Sequence, residues 1–102
     1  MSDAPLPVTV RDDTGRHVFL ALVDDGDGGT VEAGGAYYRA EDGTVTFTHT
    51  EVSPEFEGRG VGSALVAGAL QQVRADGDRV VAQCPFVEAY LARHPEYQDL
   101  IA

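Results

Sequence analysis

The sequence predicts an α/β fold, a single domain in which a mostly antiparallel sheet contains one parallel strand pair joined by a helix. Three observations support this prediction. Several short stretches are rich in β-branched and aromatic residues, and they alternate or run apolar as strands do. One longer stretch, residues 61–75, repeats its apolar residues at helical spacing. This helix stands between two predicted strands, and a right-handed helical crossover makes such strands parallel.

Length and charge narrow the possible functions. The chain has 102 residues, enough for one domain with a core, and it carries 17 acidic against 7 basic residues, a net charge of −10. This charge argues against nucleic acid or an anionic membrane as a partner. It is compatible with a cationic substrate, although ordinary solubility explains it more simply. A single cysteine cannot form an internal disulfide, and no stretch resembles a membrane span or signal segment, so a cytoplasmic location is expected.

The first half of the chain predicts three strands. Residues 1–7, with two prolines, form a loose arm before a short strand at residues 8–11. Residues 17–23 are nearly all apolar, as in a strand covered on both faces. The aspartates and glycines of residues 24–29 predict a solvated turn, because the final glutamate of an EF-hand loop is missing. Residues 30–40 form the third strand, which Gly34-Gly35 kinks or bulges.

The second half predicts a hairpin strand, a helix, another strand and a second helix. Asp42-Gly43 turns the chain into a strand at residues 44–52. Strict alternation along this strand places on one face Val45, Phe47, His49 and Glu51, with the threonines and Val52 on the other. The helix buries one stripe: Val61, Leu65, Val66, Ala69, Leu70 and Val73. Residues 79–84 return as the parallel strand, and Pro85 starts a helix whose apolar face is Phe86, Val87, Tyr90 and Leu91.

The turn before the first helix places glycines at alternate positions, Gly58, Gly60 and Gly62. Glycine adopts positive φ and allows a ligand to approach the backbone N–H groups, and the free amides of a helix's first turn favour phosphate. A P-loop fits poorly, because Ser63-Ala64 stand where Lys-Ser or Lys-Thr is required. A dinucleotide-binding fingerprint also fits poorly, because its third glycine would fall on Ser63.

This turn resembles the pyrophosphate loop of the GCN5-related N-acetyltransferases, with Glu57, Gly60 and Gly62 at the three motif positions. Further segments extend the resemblance over most of the chain: His49-Thr50, Cys84-Pro85-Phe86, and His94-Pro95 with Tyr97. Together these segments resemble a minimal, YjdJ-like subfamily of those enzymes. Glu57 departs from the pattern, because the family usually has glutamine or arginine at that position.

The resemblance implies a protein that binds acetyl-coenzyme A and transfers acetyl to an amine acceptor, either a small molecule or a protein amine, without a metal. The implied coenzyme contacts are Thr50, Val52, Glu57, Gly58, Arg59, Gly60, Val61, Gly62 and Ser63. The candidates for the chemistry are His49 and Glu51 as bases, Tyr90 as the acid for the departing thiolate, and Cys84 beside the acetyl group. Direct attack by the amine is favoured over an acetyl-Cys84 intermediate.

Each candidate for the chemistry also has a structural explanation. His49 suits a hydrogen-bonded residue among threonines, and Glu51 an exposed carboxylate at a strand end. Tyr90 suits a core position, and Cys84 an inert buried thiol. Two other functions therefore stay open: a coenzyme A-binding module without catalysis, and an interaction domain whose acidic face binds a basic partner.

Overall fold

The computed structural model describes residues 6–102, so most of the predicted arm at residues 1–7 lies outside it. The described elements, in order, are the strands β1 (Thr9–Asp13), β2 (Val18–Asp24), β3 (Thr30–Glu41) and β4 (Thr44–Val52), a 3₁₀ turn at Pro54–Phe56, helix α1 (Val61–Ala75), strand β5 (Arg79–Ala82), helix α2 (Pro85–Arg93) and a 3₁₀ segment at Pro95–Leu100. The five strands form one sheet in sequence order. The pairings of β1 to β4 are antiparallel and β4 with β5 is parallel, which confirms the predicted fold class.

The tight hairpin between β3 and β4 has a local cause. Asp42 and Gly43 both have positive φ, 52° and 77°. A two-residue loop of this kind matches the right-handed twist of the strands that it joins. Asp42-Gly43 therefore fixes the register in which β3 meets β4, as the sequence predicts.

α1 covers one face of the sheet with the predicted stripe. Each residue of the stripe is at most 1% exposed: Val61, Leu65, Val66, Ala69, Leu70 and Val73. They share one apolar core with Phe19, Phe47 and Val80 of the sheet. Because α1 is anchored along its whole length by this core, its N-terminus is held at a fixed place beside β4.

Two β-bulges interrupt the pairing of β3 with its neighbours. Opposite β2, Ala33 is the extra residue between the Ala21–Gly34 and Leu22–Glu32 pairs, beside the predicted kink. Opposite β4, the Tyr37–His49 and Tyr38–Phe47 pairs leave Thr48 of β4 without a partner. A bulge adds one residue to the alternation of a strand, so side chains beyond it change face.

The bulge at Thr48 makes one prediction wrong. Val45 and Phe47 are buried in the core, but His49 and Glu51 lie on the other face of the sheet, with side chains 63% and 58% exposed. Thr50 and Val52 turn toward the core instead: Val52 packs against the core residues, and Thr50 contacts buried Cys84. Strict alternation along the whole of β4 therefore does not hold.

The region after α1 differs from the prediction in two further respects. β5 ends at Ala82, two residues early, and Cys84 is the N-cap of α2. The buried residues of α2 are Val87, Tyr90 and Leu91, whereas Phe86 is 41% exposed.

No helix in the described part of the chain is long and apolar enough to cross a membrane.

Arg74 of α1 holds the C-terminal segment in place. Its guanidinium donates to both carboxylate oxygens of Asp99, at 2.8 and 2.9 Å, and to the carbonyl oxygen of Glu96. The hydrogen bond from Arg74 is the main reason that the pKa of Asp99 lies below its usual value. Since the ionised form of Asp99 is the one that this contact favours, the contact stabilises the fold only where that carboxyl is charged.

We expect Asp99→Asn to lower the melting temperature at pH 7 and to have a much smaller effect at pH 3. The folded-state pKa of Asp99 is depressed, so its stabilisation is complete above the unfolded-state pKa of about 3.9 and is lost as pH falls through the folded-state value. Thermal unfolding of both proteins at the two pH values measures the difference. An equal loss of melting temperature at pH 3 and pH 7 would contradict the assignment to the charged carboxylate.

Candidate functional site

β4 and β5 separate halfway along β4. Their register joins Thr44–Phe47 to Arg79–Ala82, and one further hydrogen bond, from Gln83 N to Phe47 O at 2.9 Å, ends the contact. Beyond Phe47, residues 48–52 have no neighbouring strand on that side within the described chain. Such a free strand edge can pair with the amides of an extended ligand.

A cleft of about 380 Å³ opens where β4 ends, and we call it the donor cleft. It is lined by Thr50, Glu51, Val52, Phe56, Glu57, Gly58, Gly60, Val61, Gly62, Ser63 and Phe86. All the residues predicted to contact the coenzyme line it, except Arg59. The strand end and the glycine turn are thus walls of one cavity, so a single ligand can contact both.

The glycine turn delivers an uncapped helix N-terminus to the donor cleft. Gly60 is the N-cap of α1, with φ 81° and ψ 8° in the left-handed region, and no side chain among residues 6–102 caps the first turn. The first hydrogen bond of the helix runs from Ala64 N to Gly60 O, so the N–H groups of residues 61–63 precede it. With the positive end of the helix dipole behind them, these amides favour an anionic group such as a diphosphate.

Phe86 and Phe56 line the donor cleft, and the sequence did not identify either as a site residue. A Cβ on Gly62 would lie 2.8 Å from Cζ of Phe86, so the ring packs where only glycine leaves room. Helical spacing gave no signal for Phe86 as a site residue, because residue 86 lies four residues before Tyr90 and so falls on the predicted apolar face. The signal for Phe56 was weak, an aromatic residue just before a glycine turn.

His49 and Glu51 form a pair on the face of the sheet opposite α1. His49 Nε2 lies 3.3 Å from Glu51 Oε1, and the hydroxyl of Tyr37 donates to Glu51 Oε2 at 3.4 Å. The rings of Tyr37 and His49 stack with their centroids 6.1 Å apart. Glu51 lines the donor cleft, whereas His49 reaches it only through Glu51.

Cys84 lies one contact behind the wall of the donor cleft. It is 3% exposed, and its thiol donates to Thr50 Oγ1 at 3.3 Å. Thr50 lines the cleft and Cys84 does not. A group bound in the cleft would therefore meet Thr50 before it met the sulfur.

Tyr90 packs inside the C-terminal part of the fold. It is 5% exposed, stacks on His94 with ring centroids 3.8 Å apart, and neighbours Tyr97. Burial raises the pKa of its phenol, and the charges of Tyr97 and Glu96 add to this shift. A phenol with a raised pKa is a weaker acid, and Tyr90 is not among the residues that line the donor cleft.

The chemistry of the donor cleft fits a coenzyme A diphosphate and its pantetheine arm, because free amides and a free strand edge meet there. Glu57 is the exception, since its carboxylate also lines the cleft. Residues 6–102 contain no group of three or more His, Cys, Asp or Glu side chains able to hold a metal ion.

Glu57→Gln is expected to leave the affinity for acetyl-coenzyme A unchanged or to increase it, because the native carboxylate and the diphosphate are both anionic. Titration calorimetry at low and moderate salt measures the change. Glu55→Gln is the matched control, since Glu55 lies in the 3₁₀ turn that ends just before Glu57 but does not line the cleft. A tenfold loss for Glu57→Gln alone would mean that the carboxylate supports the turn.

The chain was compared with known families, curated sequences and solved structures. The family described as GCN5-related N-acetyl-transferase matches residues 19–100. The NMR solution structure of a GCN5-like candidate N-acetyltransferase from Staphylococcus aureus is similar, with a TM-score of 0.66 and 25% identity over 100% of this chain and 91% of that one. The comparison with curated sequences gave no match. Because the family match spans most of the chain and the whole fold agrees, the chain belongs to the GCN5-related N-acetyltransferase family.

Proposed function

We propose that this protein transfers acetyl from acetyl-coenzyme A to an amine by direct attack of the amine on the bound thioester. One observation carries the proposal: in a chain of this family, the uncapped N-terminus of α1 and the free edge of β4 open into the same cleft. The first feature suits a diphosphate and the second suits the amides of a pantetheine arm. Acetyl-coenzyme A contains both a diphosphate and a pantetheine arm, together with a carbonyl already activated as a thioester.

In this proposal, backbone groups make most of the contacts that bind acetyl-coenzyme A. The amides of residues 61–63 receive the diphosphate, and Gly58 and Gly60 allow it to approach without Cβ obstruction. Thr50 and Val52 lie on the strand segment whose free edge receives the pantetheine amides. Backbone donors are rigid, so an N–H group on this free edge would stabilise the negative charge that develops on the carbonyl oxygen.

Glu51 and His49 act as a proton-accepting pair. An acceptor amine arrives protonated, and its nitrogen attacks only after it loses that proton. The Glu51 carboxylate attracts the ammonium group. His49, whose Nε2 lies 3.3 Å from that carboxylate, accepts the proton either directly from the amine or by way of Glu51. The C–N bond then forms as the C–S bond breaks. The nitrogen releases its second proton to solvent, and the departing thiolate takes a proton from solvent.

The other two candidates act by position. Cys84 orients Thr50 through the thiol hydrogen bond and packs behind the acetyl group. Tyr90 supports α2 through its stack on His94, in keeping with its burial and raised pKa. We therefore assign no covalent step to Cys84 and no proton transfer to Tyr90.

Two measurements test the proposal. Calorimetric titration with acetyl-coenzyme A tests the donor cleft, and release of free coenzyme A thiol with a panel of amines tests transfer. We expect micromolar binding and amine-dependent thiol release. Tight binding without release for any amine would favour a non-catalytic coenzyme-binding module, and absence of binding would favour an interaction domain.

Cys84 should remain unmodified when the protein is incubated with acetyl-coenzyme A in the absence of an acceptor. Its sulfur is buried behind Thr50, and the thioester is activated enough for the amine to attack directly. Intact-protein mass spectrometry detects any acetyl adduct. We expect Cys84→Ser, which keeps a donor for Thr50, to retain more turnover than Cys84→Ala, and both to stay active. A rapid adduct that an amine discharges, with an inactive serine variant, would require a covalent mechanism.

A further inference from the structure

A second cleft, which we call the acceptor cleft, lies on the sheet face opposite α1 and has a volume of about 300 Å³. It is lined by Leu20, Glu32, Gly34, Gly35, Tyr37, Glu51, Val52, Ser53 and Pro54. Glu51 and Val52 line this cleft and the donor cleft as well. The end of β4 is thus a wall common to both, so a molecule in one cleft lies next to a molecule in the other.

The floor of the acceptor cleft is bare backbone, and the structure leaves no room for it to be anything else. A Cβ on Gly34 would lie 2.6 Å from the carbonyl oxygen of Glu51, and a Cβ on Gly35 would lie 2.9 Å from Cγ2 of Val18. Two consecutive glycines on a central strand cost stability, because glycine packs poorly and loses much entropy on folding. Here they allow β4 and the side chain of Val18 to approach β3 closely, at the wall shared with the donor cleft.

The lining of the acceptor cleft is charged at both ends and apolar between them. Glu51 stands at the end shared with the donor cleft, opposite Gly35 in the β3–β4 register. Glu32 stands three residues before Gly35 on β3, which corresponds to about 10 Å along a strand. Leu20, 2% exposed, and the ring of Tyr37 line the space between. This order of carboxylate, apolar surface and carboxylate complements an alkyl chain with a positive group at each end.

Arg16 already pairs with Glu32, at 3.3 Å, and therefore competes with any cation at that end of the cleft. The pair is weak, since both side chains are about half exposed and such contacts contribute about 0–1 kcal/mol. Arg16 also has a second partner, Asp13, at 3.7 Å. A cationic ligand can thus replace Arg16 at Glu32, because Arg16 still pairs with the carboxylate of Asp13.

We propose that this cleft binds the acetyl acceptor, and that the acceptor is a small, unbranched amine carrying a second positive charge, of the diamine class. The proposal rests on the proposed function. The reacting nitrogen lies at Glu51, beside the thioester, and the far ammonium lies at Glu32. The ammonium loses one proton to the His49–Glu51 pair, and its nitrogen then forms the C–N bond. Coenzyme A leaves with the electrons of the broken C–S bond, and the nitrogen gives up its second proton, which neutralises the thiolate.

Equilibrium binding tests the inference without requiring turnover. We would titrate the ¹⁵N-labelled protein, in the presence of coenzyme A, with 1,4-diaminobutane, n-butylamine and 4-aminobutanoate. The three probes share a chain and a reacting amine but end in a positive, a neutral or a negative group. We expect the diamine to bind at least tenfold more tightly than butylamine and the amino acid to bind most weakly. The largest amide shifts should fall on Gly34, Gly35 and Glu51.

Two variants should move diamine affinity in opposite directions. Glu32→Gln removes the far carboxylate and should weaken diamine binding about tenfold, whereas Arg16→Gln removes the competing cation and should strengthen it. Glu41→Gln, on the same strand at its far end, is the charge-matched control and should change nothing. These side chains are exposed, so none of the changes threatens the fold.

Equal affinity for the diamine and butylamine, or shifts located away from the acceptor cleft, would overturn the inference. Acetyl transfer to butylamine at the same rate as to the diamine would also overturn the inference about the acceptor, but it would support the proposed transferase activity. Failure of the protein to bind acetyl-coenzyme A would instead overturn the proposed function, since the diamine titration reports on the other cleft.

Discussion

Replacing Gly60 with valine should weaken acetyl-coenzyme A binding at least tenfold, a loss of about 1.4 kcal/mol. Gly60 caps α1 in the left-handed region, at φ 81°, where a β-branched residue is strongly disfavoured. The turn would have to change conformation to accept valine, and the amides of residues 61–63 would lose their alignment.

Gly77→Val provides the matched control for this experiment. Gly77 has φ 75° at the other end of α1, and a Cβ there would meet nothing within 4 Å. Valine therefore imposes a similar backbone strain at Gly77 without touching the donor cleft. Calorimetry with circular dichroism separates affinity from folding. Equal losses of affinity in the two variants, or full affinity in folded Gly60→Val, would refute the role assigned to the glycine turn.

Replacing Gly34 with alanine should reduce kcat/KM for acetyl transfer on the order of 100-fold, the cost of displacing reacting groups by about 1 Å. The added Cβ would lie 2.6 Å from Glu51 O and 3.2 Å from Val52 Cα. Both are backbone atoms of the paired strand, so the end of β4 would have to move. That movement would displace the wall between the clefts together with the carboxylate of Glu51.

Gly15→Ala is the control for Gly34→Ala. Gly15 lies in the turn before β2, and the nearest atom to its added Cβ is an oxygen of Asp13 at 3.7 Å, an ordinary contact. We expect this variant to match the parent protein in steady-state kinetics and melting temperature. If Gly34→Ala also kept its full kcat/KM, the shared wall would not be needed for transfer.

The parts of this structure that local chemistry determines could be predicted from the sequence. The stripe of α1 follows from 3.6 residues per turn, and all six of its predicted residues are buried. Asp42-Gly43 specifies its own turn. The alternate glycines of the turn before α1 likewise indicated its conformation. The predicted coenzyme contacts therefore lie together in one cleft, with Arg59 the exception.

The irregularities in the pairing of distant strands, and side-chain contacts between distant residues, could not be predicted. Thr48 follows an alternating pattern, and threonine suits either face of a strand, so nothing local marks it as the bulged residue. His49 and Glu51 were therefore placed on the same face as Val45 and Phe47, and the acceptor cleft beside them was missed. Phe86 was misplaced for a related reason, since its position depends on a contact with Gly62 across the cleft.

The bulge at Thr48 determines which side chains of β4 face each of the two clefts. Because side chains alternate, Thr50 and Val52 turn toward the core while His49 and Glu51 lie on the other face of the sheet, and at the strand end Glu51 and Val52 line both clefts. In the proposed function, Thr50 thus serves the coenzyme alone and His49 the amine alone, whereas a substitution at Glu51 or Val52 would affect both clefts. Deletion of one residue there would exchange the two roles.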